Sequence, residues 1–146
     1  MTPEQTPTQE QLIQELVRYF EHERFTIERV RLLPGFNRPQ PIPNGGFGDG
    51  RPRTPDIIGL DPIHHRIVFG IVREDRQSLD SEVSLADYNV FLDHNENLGP
   101  KASILYVLMP DALVQEFTDI VTHYIHREYW HRIIPVRFGG GGEAGT

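Results

Sequence analysis

Apolar residues first recur along this chain at helical spacing. Leu12, Ile13, Leu16, Val17 and Phe20 fall on one face, with Glu10, Gln14, Glu15, Arg18 and Glu21 away from its centre. Thr8-Gln9-Glu10-Gln11 precedes them as a capping box, in which the Thr8 hydroxyl accepts first-turn amides and Gln11 reaches back. A first helix is therefore predicted. Phe25 to Leu32 is rich in β-formers and only roughly alternating, which predicts a strand that Pro34-Gly35 ends. Asp56-Ile57-Ile58-Gly59-Leu60 and Arg66 to Val72 are two apolar runs joined by Asp61-Pro62-Ile63-His64-His65, and together they predict a hairpin. The second run is apolar on both faces, as in a covered central strand.

Leu85, Tyr88, Phe91 and Leu92 predict a second helix over roughly residues 80 to 94, closed by Asn95, Asn97 and Gly99-Pro100. Ser103 to Met109 reads as another buried strand, and Pro110-Asp111 opens a third helix. Its apolar stripe is Leu113, Val114, Phe117, Ile120, Val121, Tyr124 and Ile125. Ile133 to Phe138 is a short last strand. A hairpin followed by strands reached through helices predicts an α/β fold, a three-layer α/β/α domain around a central mixed sheet. There is no internal repeat. A single domain over residues 8–138 is expected, with disordered ends at 1–7 and, Gly-rich, at 139–146.

Residues 34–54 break the pattern: five prolines and several glycines exclude a helix or a central strand. Long loops inside small domains are usually functional or mobile. Gly46-Phe47-Gly48-Asp49-Gly50 is only superficially a phosphate loop, because no helix follows it.

The 146 residues suffice for one core, and the absence of cysteine removes disulfides, thiolate zinc sites and thiol nucleophiles together. The polar, acidic start has no signal-peptide pattern, and no stretch approaches a membrane span, so a cytoplasmic, bacterial-type protein is the expectation. The net charge of -7 opposes nucleic acid on average, yet it is uneven. Arg29, Arg31, Arg38, Arg51 and Arg53 face only Asp49 between residues 29 and 54, a local +4, whereas residues 80–119 carry -7. Arg51, Arg53, Arg73 and Arg76 are the candidate nucleic-acid contacts.

The run from Thr54 to Leu79 resembles the active-site hairpin of the PD-(D/E)XK nuclease superfamily, in which Pro-Asp begins one strand and acid-x-Lys sits on the next. Small bacterial members follow the hairpin with a Ser-Glu-bearing helix, the place of Ser81-Glu82 here. The resemblance implies the αβββαβ core of the restriction-endonuclease-like fold plus a further helix and short strand. It also implies carboxylates that hold magnesium or manganese and activate water for phosphodiester hydrolysis. Asp56 matches the first metal ligand. The second acid position falls on Ile71 and the lysine on Arg73, two residues apart and on one face of the strand. Isoleucine cannot bind a hard cation, and arginine keeps the charge without the titratable amine. Ile67, Phe69 and Ile71 form instead a packing row. The resemblance thus implies a catalytically inactive relative with a binding or structural role linked to nucleic acid, needing no cofactor.

Two alternatives stand beside it. An active magnesium-dependent endonuclease would relocate the missing acid to Glu82 or Asp87, aided by Glu10 or Glu15, with Asp56 and Glu82 holding the metal. A protein-interaction module, such as a homodimer, would touch no nucleic acid. Using Glu74 in place of Ile71 would reverse the strand face. His123, His126 and His131 have spacings that zinc can use but read as a polar face, His64 and His65 as a solvent-facing turn, and Tyr129-Trp130 as a cover on the core edge.

Overall fold

The structure, a computed structural model, describes residues 7–94 and 102–138. Helix α1 (Gln9–His22) starts on the capping box: the Thr8 hydroxyl accepts from the Gln11 amide, and the Gln11 side chain accepts from the Thr8 amide. Strand β1 (Thr26–Val30) follows, then the hairpin β2 (Ile57–Asp61) and β3 (Arg66–Val72), α2 (Glu82–Asp93), β4 (Ile104–Pro110), α3 (Val114–Tyr124) and β5 (Ile133–Phe138).

The five strands lie in the order β1-β2-β3-β4-β5. The first three are antiparallel, and β3, β4 and β5 run parallel. This is the mixed sheet that a hairpin followed by helical crossovers demands. One face buries α1: Leu12, Ile13, Leu16 and Phe20 pack with Val68, Val72, Tyr106 and Leu108. The other face buries α2 and α3, where Tyr88, Phe91, Phe117 and Val121 meet Phe69, Ile71, Leu105 and Val107. The chain is therefore a three-layer α/β/α domain, and its elements contain the αβββαβ order.

Several details differ from the sequence reading. The irregular alternation of β1 is a bulge at Glu28, where Ile27 pairs with Gly59 but Arg29 pairs with Ile58. The third helix opens as a tight 3-10 turn over Asp111–Leu113 before α3 begins. Tyr124, placed in the apolar stripe of that helix, is its last residue and is 53% exposed, whereas Ile125 beside it is buried. Trp130 is 40% exposed, so it covers the core only in part, with its indole N–H donating to the Ile125 carbonyl at 2.9 Å. The 34–54 segment has no regular element, but it is anchored: Ile42 is buried in the core and pairs with Arg53 as an isolated antiparallel bridge. The expected disordered ends, apart from Pro7, and the Asn95 to Pro100 stop lie outside the described residues; Pro7 itself is half-buried.

Candidate functional site

Asp56 sits one residue before β2, where its amide still donates to the Gly70 carbonyl of β3 at 2.9 Å. Its side chain is buried, and both carboxylate oxygens are taken. Oδ1 accepts from Arg31 Nε at 2.5 Å and Oδ2 from the Val72 amide at 2.9 Å. Arg31 passes the connection on, since its Nη2 donates to Gln9 Oε1 at 2.5 Å. Asp56 is thus a brace joining the end of β1, the hairpin and the start of α1. A buried carboxylate requires such partners, because an unpaired one is costly to desolvate.

Ile71 is 2% exposed and packs with Phe69 and Val107 against α2 and α3. Arg73, two residues on, enters the same layer. Its guanidinium donates to Asp87 Oδ2 at 3.0 Å, to Tyr88 Oη at 3.3 Å and to the Val72 carbonyl at 3.0 Å. It also lies 5.3 Å from the centre of the Tyr88 ring. Burial works against its charge, but Tyr88, Asp87 and Asp56 outweigh that effect and hold Arg73 above the ordinary guanidinium range. Burial likewise pushes the Tyr88 phenol up, against the pull of Arg73. The Tyr88 hydroxyl donates to the Leu79 carbonyl at 2.7 Å.

Asp87 has a second partner in the long loop: Oδ1 accepts from Arg53 Nε at 2.6 Å. Arg53, Asp87 and Arg73 therefore form one linked cluster. Beside it, the loop and the start of α2 enclose a hollow of about 250 Å³ lined by Gly48, Asp49, Arg53, Glu82, Val83 and Ala86. Asp56 is not among its walls.

The described residues do not assemble the metal site that the active-endonuclease alternative needs. Glu82 is exposed on the first turn of α2, and Asp87, the other relocation candidate, is held by two arginines. Glu10 is exposed, and Glu15 pairs with Arg18 on α1. The α1 residue that reaches toward Asp56 is the amide Gln9, and it does so through Arg31. Among the described residues, no three His, Asp or Glu side chains converge as a metal-holding set. A divalent cation at Asp56 would have to displace a guanidinium and an amide while facing Arg31. The residues do not fit magnesium or manganese.

No family model, curated protein or solved structure matches this chain.

The proposed nucleic-acid contacts are mostly engaged elsewhere. Arg53 and Arg73 hold Asp87, and Arg76 pairs with Glu116 on α3. Arg51 alone of the four is exposed with only a loose pair, its Nε 3.8 Å from Asp49. His126 is no metal ligand here: its Nδ1 accepts the Glu128 amide at 3.1 Å and caps the turn that carries Trp130. Sequence reasoning missed Arg31, Gln9 and Tyr88 as members of this network. The one available signal was Arg31 itself, a cation at the end of a strand whose partner strand begins with a buried acid.

Proposed function

We propose that this domain is a non-hydrolytic relative of the PD-(D/E)XK nucleases, in which internal ion pairs stand where the ion site would be, and that its role is binding or structural. The observation that carries the reading is the engagement of Asp56 by a guanidinium and a backbone amide. Phosphodiester hydrolysis in such a site needs several oxygens facing a cation, and here the one buried carboxylate faces a guanidinium while Ile71 supplies no oxygen. Arg73, in place of a titratable amine, is locked to Asp87 and Tyr88 and so has no proton to move.

The test is a thermal melt with and without millimolar magnesium or manganese, alongside incubation with supercoiled and linear DNA. A cation that bound the folded state at one hundred times its Kd would stabilise it by about 2.7 kcal/mol. The expected result is no change in Tm and no cleavage. A rise in Tm that Asp56→Ala abolishes, or cutting that the same variant loses, would overturn the reading.

A further inference from the structure

We propose that residues 40–53 form a strap, latched to α2 by the Arg53–Asp87 ion pair, and that the strap opens by local unfolding that breaks its own Ile42–Arg53 bridge, splits the hollow beside it and uncovers Asp87. This goes beyond the non-hydrolytic reading, because it holds whatever the uncovered surface binds.

Besides the latch, the strap is held by Ile42, buried in the core, and by Phe47, packed against it. From residue 40 to residue 53 only Ile42 is buried, with Asn44, Phe47 and Arg53 half-buried. Its backbone joins itself through one bridge, in which the Ile42 amide donates to the Arg53 carbonyl at 2.7 Å and the Arg53 amide returns to Ile42 at 3.1 Å. Asn44 organises the tip from within: its amide group donates to the Phe47 and Arg51 carbonyls, and its Oδ1 accepts from the Gly46 and Phe47 amides. The tip's polar groups are thus bonded within the strap. Against the helix it makes the Arg53–Asp87 pair and a close approach at Gly48, where an added Cβ would stand 2.9 Å from Ala86 Cβ.

The hollow is the seam between these two bodies: Gly48, Asp49 and Arg53 form one wall, and Glu82, Val83 and Ala86 form the other. Lifting the strap removes one wall and leaves Asp87 with a single cationic partner, Arg73, to keep it from being a bare buried charge. Asp87 is therefore able to survive both states. Segments with few buried side chains and an exposed backbone open locally far below the cost of global unfolding.

The experiment is amide hydrogen exchange on the full chain, comparing the parent with Arg53→Ala and with Gly48→Ala. The first variant removes the latch. The second crowds the tip against Ala86, at a backbone φ of +59° that itself disfavours alanine, without removing either side chain of the ion pair. The expected result is that the Ile42 and Arg53 amides exchange about tenfold faster or more in at least one variant, with β3 and β4 unchanged, which corresponds to about 1.4 kcal/mol of latch energy. Unchanged protection of those two amides in both variants would overturn the proposal. So would losses that always spread to β3 and β4, because the segment would then be part of the common core.

Discussion

At the scale of single residues, the character of this domain turns on Ile71. It lies in the middle of a layer with Phe69 and Val107, so its replacement by an acid would bury a carboxylate whose neighbouring cation on that face, Arg73, is already held by Asp87. An uncompensated buried charge costs about 3–5 kcal/mol, a large share of the roughly 5–15 kcal/mol that holds a small domain together. Ile71→Glu should therefore lower the urea midpoint sharply, and magnesium should not restore it. A variant as stable as the parent, or one that recovers with magnesium, would mean that an ion site persists beneath the strand. Asp61 offers a second residue-scale test. Burial alone would raise its carboxyl, but the His64 ring, at 2.7 Å, and the amides of His64 and Ile63 outweigh that and hold it below the usual carboxylate range. A depressed folded value stabilises the fold above the unfolded value, about 3.9, and that contribution fades as pH falls through the lower folded value. The stability gap between the parent and Asp61→Asn should thus be full at pH 6 and shrink below about pH 4 in acid melts. A gap that stays constant down to pH 2 would show that the hydrogen bonds do not favour the charged form.

At the scale of elements, two strands reach their register only because glycine lets helix α1 and strand β1 come close. A Cβ on Gly59 would stand 2.8 Å from the Thr26 carbonyl oxygen, a backbone atom, whereas one on Gly70 would meet the movable end of Leu16 at 2.7 Å. Overpacking typically costs about 1–3 kcal/mol, and the obstacle that cannot rotate away sets the higher figure. Gly59→Ala should accordingly destabilise more than Gly70→Ala when both are measured by chemical denaturation, and the reverse order would show that β1 is the softer neighbour. The elements themselves were legible because their signals are periodic: the α1 stripe, the capping box and the two-faced run of β3 each survive tertiary context. What escaped detection was non-periodic. The Glu28 bulge left only an uneven alternation, and the anchoring of the 34–54 loop depends on Arg53 finding Asp87, a partner 34 residues away on a helix the local sequence does not mention. The site divided in the same way. That Ile71 belongs to a packing row was visible from its spacing, whereas the engagement of Asp56 by Arg31 and the Val72 amide required the strands to be brought together.

At the scale of the whole molecule, charge decides which partners remain open. Of the five arginines that gave residues 29–54 a local +4, two are consumed within the fold: Arg31 holds Asp56 and Arg53 holds Asp87, while Arg29 donates to the neutral Arg38 carbonyl. A cation that already neutralises a buried acid cannot also release counterions from a phosphate backbone without exposing that acid. Each phosphate engaged on duplex DNA steepens the salt dependence of log K by about 0.9. With Arg51 as the one loosely paired cation among Arg51, Arg53, Arg73 and Arg76, and with a net charge of -7, these four supply about one such contact. Anisotropy titrations of a labelled duplex between 50 and 200 mM salt should therefore show weak binding with a slope no steeper than about -2. Arg51→Ala should flatten it further, while Arg76→Ala should leave it unchanged because Arg76 serves Glu116. A slope of about -4 or steeper would bring exposed arginines beyond these four, such as Arg38, onto DNA and would return a nucleic-acid role to this surface.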